Sequence, residues 1–357
     1  MRTRKLLLFV LSLSTASWVA AQARKTESGE KTGSVIQAKT DKPAAANPKT
    51  AAPAAKSGAA KPASAGAGAT ARPGSAAAKK QPAGKAEDPS HTLLWEISGG
   101  ELTQPSYIFG TMHLVCADEA RLSGALKKAI KESDQIFFEI DMDDMEQVMG
   151  GMKYVRMNDG LKLSDLLTPV EMDRIKAYFD EHRAMIPFVM MNRFKPYFIS
   201  SMISEGMLEC TTKKAMEQLI AEESKLYNKD IQGLETIKFQ ASLFDSIPYE
   251  KQARDLLTYI DSIDGYRKTT LEMYEVYRRQ DLNRMDSLIT KSDPGMEQYM
   301  DLLLYDRNTR WVAEMPFHMQ RMPTLFAVGA GHLPGEKGVL NLLARQGYTV
   351  RPLPNRN

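Results

Sequence analysis

The stretch "SYIFGTMHLVC", residues 106–116, decides the reading of this chain. An apolar run of strand length ends at Gly110, and His113 follows three positions later. "LFAVGAGHLPG", residues 325–335, repeats the pattern with Gly329 and His332, 219 positions downstream. Where an apolar strand ends, glycine lets the backbone turn sharply or be closely approached. A histidine just past that turn projects from a sheet edge, where open α/β sheets place their sites. The tetrapeptide alone is weak evidence; its recurrence in one strand-to-loop context points to a single site that draws one histidine from each end of a domain.

Working outward, "HTLLWEISGG" pairs with the first stretch as a hairpin, "LSGALKKAIKESD" has helical spacing, and "QIFFEID" is a third strand. The closing segment reads strand, helix, strand through "PTLFAVGAGHL", "GVLNLLARQGY" and "TVRPL". From 142 to about 323 the pattern is helical, with Ser/Thr caps in "LSDLLTPVEMDRIKAYFDEH" and a short strand or turn at "KDIQGLET". These elements predict an α+β fold with α/β-like character. Its central mixed sheet comes from the two ends of the domain and a large helical region fills the middle. Met142, Met145, Met149 and Met152 share one helical face, as core or as a flexible lid.

The N-terminus has a different character. Arg2, Arg4 and Lys5 precede a short apolar run, and Ala21-Gln22-Ala23 offers a cleavage site, so 1–23 reads as an export signal. Residues 24–90 are rich in Ala, Pro and Lys and hold no aromatic side chain, which predicts a disordered tether. The basic tether could touch anionic surfaces. The folded domain is expected over 91–357, where 32 Lys/Arg stand against 39 Asp/Glu, a net charge of −7. That balance argues against nucleic acid as a partner. No later segment reaches spanning length, so a periplasmic or extracellular protein with no transmembrane span is expected once the signal is removed. Cys116 and Cys210 are the only cysteines, and a disulfide and two free thiols both remain open.

Two neutral imidazoles are natural ligands for a first-row divalent metal, and a carboxylate would complete a hydrolytic site. Glu139 is the candidate, an acid closing an otherwise apolar strand. His91, His182 and His318 lack the motif and read as surface or core residues. H-E-x-x-H, C-x-x-C, G-x-S-x-G and P-loop patterns are absent from the sequence.

From about 92 to 355 the chain resembles the TraB/GumN family, which includes the Tiki metalloproteases. The resemblance is carried by "LWEI…PSYIFGTMHL", "FFEID", "GLET…Q", "DRNTRW" and "FAVGAGHLPGEKGVLNLLARQGYTV". It implies a domain built on paired G-x-x-H motifs and a divalent-metal-dependent hydrolase, in Tiki-like members a peptidase supported by manganese or cobalt; zinc is possible. Carried over, His113, Glu139 and His332 are metal ligands, Glu235 a general base or fourth ligand, and Arg307 an oxyanion stabiliser or substrate clamp. The expected partner is a peptide or protein substrate. One departure stands out. Related sequences often have G-x-D before the helix leading to "GLE", whereas this chain reads "CTTKKAMEQL". Alternative readings are a non-catalytic exported binding or scaffold protein on the same fold, and a metal-independent esterase with His113 as base.

Overall fold

The computed structural model describes residues 91–141, 143, 144, 150–182, 186–290 and 298–356, with the backbone alone for Met152. The expectations for 1–23 and 24–90 fall outside these residues, as do Met142, Met145, Met149 and the Met152 side chain.

Eight strands are present among the described residues: β1 Leu94–Gly99, β2 Ser106–Thr111, β3 Val115–Cys116, β4 Gln135–Ile140, β5 Lys213–Lys214, β6 Asp230–Glu235, β7 Thr324–Gly329 and β8 Tyr348–Pro352. Twelve α-helices lie wholly among the described residues: α1 Gly124–Glu132, α2 Leu163–Leu166, α3 Pro169–Glu181, α4 Phe188–Met191, α5 Pro196–Gly206, α6 Met216–Lys225, α7 Ile237–Leu243, α8 Tyr249–Asp261, α9 Ile263–Arg278, α10 Leu282–Thr290, α11 Asp306–Arg321 and α12 Val339–Arg345. The fold is α+β, as the sequence predicts.

Six strands form one mixed sheet in the order β6-β4-β7-β2-β1-β8. β1 and β2 pair antiparallel as the expected hairpin, with Leu94 opposite Phe109. β2, β7, β4 and β6 run parallel, so all four release their chains at one edge. The two ends of the domain supply five of the six strands, and the middle supplies β6. Every residue of β2 and β4 is buried, which explains why these strands read as continuous apolar runs without alternation. Ile108, Ile136 and Phe326 lie at the centre of this sheet, each worth about 1.5–3 kcal/mol of burial.

A second apolar core belongs to the helical middle, built from Leu163, Ile175, Phe179, Tyr197, Phe198 and Leu256 with their neighbours. One of its helices starts where the sequence places a cap, whereas α2 begins after Lys162 with Ser164 inside it. Thr168 caps α3 through the Glu171 amide, the Glu171 carboxylate returns a bond to the Thr168 amide, and Pro169 occupies the first turn.

Candidate functional site

β7 lies between β4 and β2, so its end is flanked on both sides. Thr111 of β2 pairs with Gly329 of β7, and Ile140 of β4 pairs with Glu235 of β6. Four neighbouring parallel strands thus deliver His113, His332, Glu139 and Glu235 to one sheet edge, where ligands of open α/β sheets bind. The motif glycines permit this closeness. A Cβ on Gly110 would stand 3.0 Å from the Ala330 backbone, and one on Gly329 would stand 3.0 Å from Glu139 Oε1.

Arg307, from the first turn of α11, fills the centre of the cluster. Its Nη2 donates to Glu139 Oε2 at 2.6 Å and to Glu235 Oε2 at 2.8 Å. Its Nε donates to both Glu235 oxygens, and its Nη1 reaches the Leu303 carbonyl at 3.2 Å. That carbonyl belongs to a π-turn, Asp301–Tyr305, which leads into α11. Gln240 donates one bond to each carboxylate, at 3.0 and 3.1 Å, and Gly329 N–H donates to Glu139 Oε1 at 2.8 Å. Burial works against charge on Glu139, but Arg307 foremost, then His332, His113 and the Gly329 amide, hold its carboxyl down at about 2. Arg307 is buried too; the two carboxylates outweigh that burial and raise its affinity for the proton further.

The two histidines differ. His332 is 2% exposed and packs at a tilt against Trp311, ring centroids 4.4 Å apart. Asn308 donates its amide hydrogens to the His332 and Lys337 carbonyls, which turns its Oδ1 toward His332 Nδ1 at 2.5 Å. A guanidinium can only donate, so Arg307 Nη1, 3.2 Å from His332 Nε2, requires a lone pair there. His332 is therefore the neutral Nδ1–H tautomer. Burial first, then Arg307 and His113, outweigh Glu139 and push the ring down to about 3.

His113 faces an acid instead. Its Nδ1 lies 2.8 Å from Glu217 Oε1, the oxygen that also accepts from Thr111 Oγ1 at 2.6 Å. Burial lowers the ring, but Glu217, with Glu139 and Glu205 behind it, outweighs burial and lifts His113 to about 9. His113, Thr111, Leu208, Met273, Met285 and Gly329 are among the walls of a cavity of about 70 Å³.

The donor types suit a divalent ion. Each histidine commits Nδ1 to a protein acceptor, so the lone pair of each neutral ring is on Nε2, and Glu139 Oε1 stands 3.7 Å from His332 Nε2. Among the described residues no three His, Cys, Asp or Glu side chains stand in a ligating arrangement.

The sequence-predicted residues Glu139, Glu235, Arg307 and His332 lie in direct hydrogen-bonded contact, and His113 acts on them electrostatically from the neighbouring strand. Glu235 closes β6, and the next residue, Thr236, caps α7. Sequence reasoning passed over Gln240, Asn308, Trp311 and Glu217. The first three sit inside the quoted "GLET…Q" and "DRNTRW" segments; Glu217 sits in "CTTKKAMEQL", read only as a departure. Cys116 and Cys210 form a disulfide, Cα atoms 5.7 Å apart, which resolves the question of the thiols. His91 pairs with Asp281, His182 caps the end of α3 and bonds its own helix at the Tyr178 carbonyl, and His318 packs at a tilt against Phe137.

The model of the TraB/PrgY/gumN family matches residues 93–352, 260 of the 357 in the chain. The chain belongs to that family. All five predicted site residues fall inside the TraB/PrgY/gumN match. Three named relatives are similar to it. Metalloprotease TIKI2 of Danio rerio is 23% identical over 317 residues, covering 74% of this chain and 61% of that protein. Metalloprotease TIKI1 of Homo sapiens is 22% identical over 336 residues, covering 79% and 65%. A Metalloprotease TIKI homolog of Amphimedon queenslandica is 23% identical over 321 residues, covering 74% and 62%. The chain therefore spans about three fifths of the length of the relatives it matches. No solved structure matches. No helix among the described residues is long and apolar enough to cross a membrane.

Proposed function

We propose that this chain is an exported, divalent-metal-dependent hydrolase that cleaves peptide bonds. The observation that carries the reading is the convergence of two imidazoles and Glu139 at the ends of the adjacent parallel strands β2, β7 and β4. The relatives named as metalloproteases support the class of chemistry. His113, His332 and Glu139 would hold the ion, manganese or cobalt first, with zinc as the third choice. The ion would supply Lewis acidity and an acidified water. Arg307 would stabilise the charge that develops on the attacked carbonyl oxygen, or clamp a substrate carboxylate. Glu235 would take up a proton, with Arg307 as its counter-ion. His332 would stay neutral because it is buried and Arg307 stands at its Nε2, while Asn308 accepts from its Nδ1–H.

Export rests on the signal-like residues 1–23 and fits a disulfide, which persists in oxidising compartments. On this reading 24–90 is a tether, 91–357 is the working domain, and the protein acts in the periplasm or outside the cell.

The test uses the full chain, loaded with manganese, cobalt or zinc and freed of excess metal. Near-stoichiometric metal in the wild type, lost in His113→Ala and His332→Ala while both stay folded, supports the site. Cleavage of a fluorescence-quenched peptide library that EDTA abolishes supports the activity.

A second reading has one observation in its favour. The Arg307 guanidinium already stands against both Glu139 and His332 Nε2, where it supplies positive charge. On that reading the chain is a metal-independent esterase with His113 as base, and turnover of ester probes survives EDTA.

A further inference from the structure

Glu217 is a buried acid that the proposed chemistry leaves unused. It is 5% exposed, in the first turn of α6, and bonds two other side chains, His113 Nδ1 and Thr111 Oγ1, both on Oε1, while its own backbone N–H also favours its charged form. Its Oε2 is buried with no hydrogen-bond partner. A carboxylate kept only for stability would be expected to satisfy both oxygens, because an orphaned buried acceptor is costly. A buried ion pair is itself weak evidence of stabilisation.

The surrounding chain is fastened so that this acid meets this ring. Just past His113, β3 pairs with β5, Val115 opposite Lys214 and Cys116 opposite Lys213. The Cys116–Cys210 disulfide and the bond from Ala117 N–H to the Thr212 carbonyl fasten the same two segments. Met216 N–H reaches back to the Met112 carbonyl at 3.5 Å. Four ties thus join the residues around His113 to the entry of α6, and Glu217 is the second residue of that helix.

We propose that Glu217 is a positioning residue for His113: it accepts the hydrogen bond from Nδ1–H, fixes the ring plane and keeps the lone pair of the neutral ring on Nε2. This deepens the hydrolase reading and rests on it for purpose, because metal and proton chemistry both need a ring of known tautomer. Thr111 in turn holds the Glu217 oxygen, so the end of β2 braces the partner of the ring that follows it.

The test is long-range nitrogen–proton NMR on the metal-free full chain with ¹⁵N-labelled histidine, at alkaline pH where the ring is neutral. His113 is assigned by its loss in His113→Gln. The wild type is expected to carry hydrogen on Nδ1. Glu217→Gln keeps an acceptor there and is expected to keep that tautomer. Glu217→Leu is expected to shift the ring to the Nε2–H form while circular dichroism and melting show a folded chain. A wild-type His113 with hydrogen on Nε2 overturns the proposal whatever the variants do, and so does an unchanged tautomer in a folded Glu217→Leu. A second readout uses Mn²⁺ alone in calorimetry. Glu217→Leu is expected to weaken retention about 10–100-fold, with Glu217→Gln restoring most of it; equal affinity in all three proteins counts against the proposal. Should the wild type retain no Mn²⁺, the metal reading fails, and the tautomer still decides the role of Glu217.

Discussion

His113 and His332 end the same tetrapeptide pattern on adjacent parallel strands, yet the fold gives them opposite proton affinities. His113 looks at a carboxylate through Nδ1 and is lifted to about 9. His332 looks at a carboxamide oxygen through Nδ1 and at a guanidinium through Nε2, and burial first, then that guanidinium, push it down to about 3. A motif therefore fixes where a side chain emerges; the neighbours supplied by distant helices fix what it can do. Here α6 supplies the acid for one ring, and α11 supplies the amide and the cation for the other.

The largest break in this comparison is removal of the cation. Arg307→Met leaves Glu139 and Glu235 buried near each other without their shared partner, with Gln240 as a remaining bridge. Removing one side of a buried ion pair costs about 3–5 kcal/mol, and that loss is expected in urea unfolding near neutral pH. The same variant removes the donor that excludes a proton from His332, so the two rings become more alike. An unfolding free energy within 1 kcal/mol of wild type would show that Arg307 is not the charge that holds this centre together.

The pH dependence of stability sharpens the contrast, because the two rings act in different windows. The folded-state affinity of His113 lies above the usual 6.5, so its stabilisation is fully present below 6.5 and is lost as pH rises through about 9. His332 lies below 6.5, so its contribution is present above 6.5 and is lost as pH falls toward 3. Glu139, held at about 2, adds a second acid loss as pH falls below 4.5. In metal-free protein, His113→Gln is expected to flatten the alkaline limb by on the order of 3 kcal/mol. His332→Gln is expected to flatten the limb between 6.5 and 4.5 and to leave the Glu139 loss in place. Unfolding free energies measured at each pH check both. Identical limbs in the two variants would mean that the rings do not differ.

What could be read from the sequence divides along the same line. The strands, the hairpin, the capped helices and both histidines were legible because each is a local signal: an apolar run, a glycine, a Ser/Thr cap. Glu139 could be picked out because it is an acid at the end of an apolar run, and Glu235 and Arg307 came with family motifs. The partners that set the chemistry were hidden for a physical reason. Glu217 meets His113 across 104 positions of sequence, and no spacing rule joins an acid in a helical first turn to a strand-end histidine. Such an acid reads more simply as favoured by the helix dipole. The opposite protonation of the rings was equally hidden, since the two tetrapeptides differ only in their middle residues, Thr111-Met112 and Ala330-Gly331.

The smallest test reaches His332 through Asn308, whose side chain joins three points: His332 Nδ1, the His332 carbonyl and the Lys337 carbonyl. Asn308→Ala removes all three bonds in a buried setting, and a water entering the vacated volume is expected to replace part of them. The expected cost is therefore about 1–2 kcal/mol, in the range for one or two buried hydrogen bonds, and well below that of Arg307→Met. The informative readout is the ring. With Asn308 gone, nothing fixes hydrogen on Nδ1, but Arg307 still requires a lone pair on Nε2. The tautomer should therefore persist in Asn308→Ala and be lost only when Arg307 is removed as well. If Asn308→Ala alone moves the proton to Nε2, the amide rather than the guanidinium governs His332. The contrast between the two histidines would then reduce to that between a carboxylate and a carboxamide at the same ring nitrogen.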